Sequence, residues 1–233
     1  MVSKYYPFTL AIVIVIIDQA LKIWVKLNMT FNQHFNVLGD WFKVLFIENE
    51  GMAFGIQLGG ADGKLALTLF RILAVLAFTV LLYRLQKQSS NKTVLLGVSI
   101  LLAGTLGNVI DSIFYGAIFS DSTFFQKAVF LPEPPLKAYS TWFYGNVVDM
   151  FYFPLMDGNF PAWFPEKPLI KPLWCPGIIF NIFPWANDNW VFFRPVFNVA
   201  DSAITIFMFL FIIKQKQFSF ELERVFTKKN STT

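Results

Sequence analysis

The stretch Thr93-Val94-Leu95-Leu96-Gly97-Val98-Ser99-Ile100-Leu101-Leu102-Ala103-Gly104-Thr105-Leu106-Gly107-Asn108-Val109-Ile110-Asp111 carries no charge until its last residue. A helix crossing about 30 Å of hydrocarbon needs roughly 20 mostly apolar residues, and this segment has that length and character. Working outward, three more stretches share it. Pro7 to Val25 is interrupted only by Asp18 and Lys22, Leu65 to Tyr83 only by Arg71, and Pro195 to Ile213 only by Asp201. The pattern predicts an all-α integral membrane protein with four transmembrane helices, over about 7–25, 65–83, 93–111 and 195–213, in a single membrane domain spanning 1–233. The first segment is read as a retained helix and not a signal peptide. Asp18-Gln19 and Lys22 follow its apolar run where a small-residue cleavage site would stand.

Composition agrees. The chain has 233 residues, 55% of them hydrophobic and 15% charged, with a mean hydropathy of +0.53, whereas soluble domains are about 45–50% apolar and about 25% charged. As buried core helices of a soluble protein, four such segments would leave too little polar surface to cover them. The 29 Phe suit lipid-facing and interfacial surfaces. A lone Cys175 rules out an internal disulfide and a multi-Cys metal site. A single His34 argues against a His-rich zinc site and a Ser-His-Asp triad. Basic residues form no stripe, so no nucleic-acid partner is expected. With no metal and no cofactor implied, carboxylates, amides and hydroxyls must carry the chemistry.

Arg84, Lys87 and Lys92 crowd the short connection between the second and third helices, and Lys214 and Lys216 follow the fourth. The positive-inside rule puts these, and both termini, on the cytoplasmic side. Residues 26–64 and 112–194 then lie outside and form a small, partly β subdomain. The latter is long, aromatic and Pro-rich, with Trp and Phe clusters at 141–143 and 183–193 that read as interfacial anchors. The tail 214–233 reads as a solvated cytoplasmic extension.

At about 1.5 Å per helical residue, Asp18 lies about 21 Å from the cytoplasmic edge, Asp111 about 28 Å and Asp201 about 20 Å. Three carboxylates from three helices converge near the outer interface, and an ionisable group inside a span is a functional-site hypothesis by default. Asp18 and Lys22 share a helix face four residues apart, which fits a scaffold pair as well as a site. Arg71 reads as a snorkelling or pairing residue. Asn-x-x-Asp occurs as Asn108–Asp111, Asn146–Asp149 and Asn198–Asp201. On a helix this spacing lets an amide orient its neighbouring carboxylate. The middle copy ends in a strand-like Val147-Val148-Asp149, which makes Asn146 a coincidence of spacing. Glu48-Asn49-Glu50-Gly51-Met52-Ala53-Phe54-Gly55 forms an outer polar cluster whose small residues let backbone approach a ligand. Two carboxylates without His or Cys suit peptide hydrolysis, one taking a proton from water while the other polarises the scissile carbonyl.

These residues resemble the lipoprotein signal peptidases (signal peptidase II). The resemblance runs through Asp18-Gln19-Ala20-Leu21-Lys22, the Glu48–Gly55 cluster, Ala103–Asp111, Val147-Val148-Asp149 and Phe197–Ile204, in the family's order. It implies a monomeric aspartic endopeptidase of the bacterial inner membrane, without metal or cofactor. Such an enzyme, embedded among membrane lipids, cleaves lipidated prolipoproteins before a diacylglyceryl-modified Cys. By the same resemblance Asp149 and Asp201 match the catalytic pair. Asn108, Asp111 and Asn198 match supporting positions, Asn49 lies on the substrate-holding loop beside Gly51, Gly107 lies in the third-helix motif, and Asp18 and Lys22 match the first-helix pair. Two departures stand out. Asp111 is followed by Ser112 where the family usually has Arg, so that guanidinium must come from elsewhere, Arg194 or Lys137, or be dispensable. The spacings from Asp111 to Asp149 and from Asp149 to Asp201 are also longer than usual. Two rival readings fit less well. An ion-coupled transporter would spread its acids across the midplane of an inverted repeat, and a Mg²⁺-dependent lipid enzyme would carry a closely spaced multi-Asp motif.

Overall fold

The computed structural model describes residues 5–50, 60–88, 91–159, 189–192 and 195–227. In chain order these form α1 (Tyr6–Asn28), β1 (His34–Leu38), β2 (Phe42–Asn49), α2 (Gly60–Lys87) and α3 (Lys92–Ile110). A π-helical turn, Asp111–Tyr115, runs into α4 (Gly116–Ile118). Then follow β3 (Val147–Tyr152), β4 (Met156–Asn159), β5 (Asn189–Phe192), β6 (Val196–Phe197), α5 (Val199–Ile213) and α6 (Gln215–Thr227). The protein is thus mostly helical. β1, β2, β3 and β6 form a four-stranded sheet in that order, and β4 pairs antiparallel with β5.

Among the described residues, three helices are long and apolar enough to cross a membrane: Tyr6–Asn28, Gly60–Lys87 and the continuous Lys92–Ile118. Their surfaces are inverted relative to a soluble protein. α1 buries Asp18, Lys22 and Lys26 while exposing Ile12, Val13, Ile16, Ile17 and Trp24. α2 exposes Leu69, Phe70, Leu73, Leu76 and Val80. Apolar surface turned outward and charge turned inward is the arrangement hydrocarbon selects. The fourth apolar stretch is helical only from Val199, because Val196–Phe197 is committed to β6 and Asn198 caps the helix. The third segment does not end at Asp111. The π turn widens the helix there and carries it on to Ile118, the kind of bulge that often sits at functional positions.

The described residues fall into two compact units, one within Met1–His34, Leu45–Met150 and Phe197–Thr233, the other within Phe35–Val44 and Phe151–Val196. In the second, Phe42 stacks on Phe153 with ring centroids 4.6 Å apart, and Trp41 packs beside the same ring. In the first, α3 lies at the centre of the helices, and two glycines set how close α5 comes. A Cβ on Gly107 would stand 2.6 Å from Asp18 Oδ2 and 3.0 Å from the Ala200 Cβ, and one on Gly104 would run into the Ala200 carbonyl oxygen. The start of α3 is capped by Asn91, whose Oδ1 accepts the Thr93 amide at 2.8 Å.

The residues after Lys214 correct the expectation of a solvated tail. α6 buries Phe218, Glu221 and Val225, an i, i+3, i+7 face. Phe218 packs against Gly97, Phe207 and Phe211, the Glu221 carboxylate accepts the Asn91 amide at 3.1 Å, and Arg224 donates to the Gln88 carbonyl. A helix that satisfies both polar and apolar partners on α3 and α2 has reason to fold back.

Candidate active site

The site grows from one face of α1. Asp18, Lys22 and Lys26 recur every fourth residue, so all three point the same way into the helices. Lys22 is fully buried, and its ammonium lies 2.9 Å from Asp18 Oδ2 and 2.8 Å from Asp111 Oδ2 while donating to Asn108 Oδ1 at 2.9 Å. An ammonium has three donors, and all three have partners. Asp18 uses its other oxygen to accept the Ala200 amide at 2.8 Å, satisfying one of the orphan donors in the first turn of α5. These contacts of the α1 pair tie α1, α3 and α5 together. Gly107 is the position that leaves room for it.

Asp111 joins the helices to the sheet. Its Oδ1 accepts from Gln19 Nε2 at 2.9 Å, and its Oδ2 accepts the Val148 amide at 3.3 Å, so the residue preceding Asp149 is pinned to the end of α3. Gln19 is in turn held by the Tyr115 hydroxyl at 3.0 Å. Asp149 enters on β3 and is 1% exposed.

Asn198 and Asn108 hold the two remaining acids. Asn198 Nδ2 donates to Asp149 Oδ1 at 2.7 Å, and its Oδ1 accepts the Asp201 amide at 2.9 Å. Asp201 completes a capping box by accepting the Asn198 amide on Oδ2 at 3.3 Å, and its Oδ1 takes a 2.8 Å hydrogen bond from Asn108 Nδ2. Asn49, at the end of β2, donates to Asp149 Oδ2 at 3.3 Å. Burial, and then the Asp201 charge, push the Asp149 carboxyl up to about 7, against the opposing pull of the Asn49 and Asn198 hydrogen bonds and Lys22. Two like charges in so dry a place favour sharing one proton.

A second polar network braces the first. Lys26 lies 2.5 Å from Glu48 Oε1, donates to Ser122 at 3.1 Å and sits 4.8 Å from the Tyr139 ring centroid. Glu48 Oε2 accepts from Asn146 Nδ2 at 3.1 Å, and Asn146 Oδ1 accepts from Lys64. The Tyr139 hydroxyl accepts the Asn146 amide at 2.7 Å, and burial holds that phenol far above its ordinary range. Asn146 is therefore no coincidence of spacing; it anchors the residue beside Asn49.

Of the residues singled out from sequence, Asp18, Lys22, Asn49, Gly107, Asn108, Asp111, Asp149, Asn198 and Asp201 come together here, whereas Gly51 lies outside the described residues. Gln19 and Glu48 stood in motifs read from sequence but were given no contacts of their own, and Lys26, Ser122, Tyr115 and Tyr139 were missed; the fourfold spacing on the α1 face is the signal that could have found Lys26. Of the two readings given for Arg71, snorkelling or pairing, the structure shows pairing. Its Nη1 donates to Ser112 Oγ at 3.0 Å, and the guanidinium lies in the field of Asp201, Asp111 and Asp149. Its side chain thus reaches the residue that stands where the resemblance expects Arg. Arg194 lies outside the described residues, and Lys137 is exposed.

Comparison with known proteins places this geometry. A family model described as Signal peptidase (SPase) II matches residues 10–216. The lipoprotein signal peptidase of Porphyromonas gingivalis strain ATCC 33277 is 42% identical over 205 residues, covering 88% of this chain and 80% of that protein. The one from Amoebophilus asiaticus strain 5a2 is 37% identical over 218 residues, covering 92% and 78%. Two solved structures, each described as a bacterial membrane enzyme determined in meso, one at 2.3 Å and one at 1.9 Å, share the fold. Their TM-scores are 0.52 and 0.53 at 22% and 23% identity, covering 92% and 90% of this chain and 89% and 92% of theirs. The chain belongs to the signal peptidase II family of membrane-bound proteases.

Proposed function

We propose that this protein removes the signal peptide from diacylglyceryl-modified prolipoproteins, cutting before the lipidated Cys, with Asp149 and Asp201 as the catalytic pair. The observation that carries the reading is Asn198, which holds the buried Asp149 by its side-chain amide and the half-buried Asp201 by a capping box, so that one side chain brings together two carboxylates from different elements. One carboxylate takes a proton from water as the water oxygen adds to the scissile carbonyl. The other, protonated, gives its proton to the carbonyl oxygen. Collapse of the tetrahedral adduct returns a proton to the leaving amine and regenerates the shared-proton pair. Acid and base belong to the pair and not to either residue.

In this reading Asn108, Asn198 and Asn49 orient the dyad, and Asp111, Asp18 and Lys22 fix the elements that carry it. The chain has four spans with both termini cytoplasmic, and it works as a monomer in the bacterial inner membrane with its site at the outer face. The lysines and arginines at the ends of α2, α3 and α5 support that orientation. The test is a gel-shift assay on a diacylglyceryl-modified prolipoprotein. Wild type should cleave it and Asp149→Asn and Asp201→Asn should not; normal cleavage by either variant refutes the dyad.

A further inference from the structure

A strand presents successive side chains to opposite faces, and the end of β2 uses both. Asn49 Nδ2 donates to Asp149 Oδ2 at 3.3 Å. Its neighbour Glu48 lies 2.5 Å from the Lys26 ammonium through Oε1, and its Oε2 accepts from Asn146 Nδ2 at 3.1 Å. Both oxygens of this nearly buried carboxylate are therefore in use. Asn146 stands immediately before β3 and is a fixed post. Its amide donates to the Tyr139 hydroxyl at 2.7 Å, its side-chain carbonyl accepts from Lys64, and the Gly145 amide before it donates to the Ser112 carbonyl at 2.9 Å. Gly145 packs so closely there that a Cβ would stand 2.0 Å from the Asp111 carbonyl oxygen. Two residues on, the Val148 amide donates to the Asp111 carboxylate at 3.3 Å. The strand that carries Asp149 is thus fixed from the π turn, and the Glu48–Asn146 bond passes that position on to β2. β2 and β3 are neighbours in the sheet. A slip of one residue between them would turn Glu48 and Asn49 to the wrong faces together.

We propose that Glu48 and Asn146 are positioning residues for the reaction, a clamp between β2 and the entry to β3 that sets the Asn49 amide against the Asp149 carboxylate. The inference rests on the dyad reading above and adds two side chains that hydrogen-bond to neither acid. The clamp acts through Asn49. Loosening it leaves Asp149 held by Asn198 and its strand held by Asp111, but lets the Asn49 amide drift from the carboxylate it orients. Displacements of about 1 Å around a reacting group are enough to slow catalysis by orders of magnitude. Lys26 serves the clamp differently, as the counter-charge that lets Glu48 be buried. Its contribution to stability and the placement of Asn49 are separable, because Asn146 carries the placement without touching Lys26.

The experiment compares the full-length wild type with Asn49→Ala, Asn146→Ala and the double variant Asn49→Ala/Asn146→Ala, each reconstituted in liposomes with diacylglyceryl-modified prolipoprotein. Asn146→Ala leaves the Lys26–Glu48 ion pair whole and should lower kcat about tenfold with KM nearly unchanged. Added to Asn49→Ala, it should cost nothing further, since the clamp then has no amide to place. Multiplied losses in the double variant, or wild-type kcat in Asn146→Ala, overturn the proposal. Glu48 is tested without stranding a buried charge, by comparing Lys26→Met/Glu48→Gln with Lys26→Met/Glu48→Leu. Both lack the ion pair, but only Gln keeps an acceptor for Asn146, and it should hold kcat about tenfold above Leu. Equal kcat in the two would refute the clamp. The carboxyl infrared band of protonated Asp149, assigned by its absence in Asp149→Asn, reads the contact without turnover and should shift alike in Asn49→Ala and Asn146→Ala. If wild type fails to cleave, the proposed function falls. The band still decides the clamp by itself, and an unmoved band in Asn146→Ala overturns it.

Discussion

Asn198 reaches Asp149 across 2.7 Å with the same side chain that accepts the backbone amide of Asp201, so one amide fixes both acids. Asn198→Ala removes an N-cap, worth about 1 kcal/mol, together with the dyad's brace. We expect a lower melting temperature and a loss of kcat on the order of a hundredfold. Asn198→Asp keeps the cap and reverses the donor facing Asp149. It should lose activity as severely with much less thermal destabilisation, which paired kinetics and melting curves in detergent will separate.

Lys22 is a buried cation between two buried anions. Lys22→Met strands Asp18 and Asp111 without their partner, and removal of one member of a buried pair typically costs about 3–5 kcal/mol. Thermal unfolding should show a large drop. Adding Asp18→Asn and Asp111→Asn to the same chain should recover most of it, because amides keep hydrogen bonds without leaving charge. A triple variant no better than Lys22→Met would refute this electrostatic account.

The pH dependence has a definite sign. Asp149 binds its proton more tightly folded, up to about 7, than its ordinary 3.8. Its contribution is therefore fully favourable at pH below about 4 and is lost as pH rises through about 7. Asp149→Asn, which never ionises, should match wild type in melting temperature near pH 4. The variant should then gain on wild type up to pH 7–8, by a few kcal/mol at most, and hold a constant lead above that. Melting curves of the two proteins across pH 4–9 check it.

Gly107→Ala would place a methyl 2.6 Å from Asp18 Oδ2 and 3.0 Å from the Ala200 Cβ. Overpacking of this kind costs about 1–3 kcal/mol, and here it also prises α5 from α3, so activity and melting temperature should fall together. Gly60→Ala meets no neighbour within 4 Å, and at a φ of +59° its cost should be confined to local backbone strain with turnover preserved. Equal activity losses in the two variants would count against the close-approach argument.

How much was legible follows the range of the interactions. Asp18, Lys22, Asn108, Asp111 and Asp201 stand out because each interrupts an apolar run, and a span tolerates such an interruption only for a reason. Their convergence could be counted from helix rise alone. Asp149 follows a long connection whose length hides where the chain returns; the Asn-x-x-Asp spacing marked it, and only the resemblance gave it a role. Arg71 was visible as a lone charge, but its direction depends on which face of α2 meets Ser112, forty-one positions away. Asn146 was set aside since a strand breaks the i, i+3 geometry; its partner is Glu48, across the sheet and not along a helix. The packing of α6 was written in Phe218, Glu221 and Val225, yet the surrounding charges masked a face that only Gly97 makes room for.

The capping box at the head of α5 makes one carboxylate serve two masters. Asp201 begins a helix of 15 residues, about 22 Å long, and takes part in the proposed cleavage with the same two oxygens. If α5 is the fourth span and the proposed cleavage holds, the scissors are soldered to the top rung of a membrane ladder, and a substrate hung from the lipid by its acyl chains would be measured against that rung.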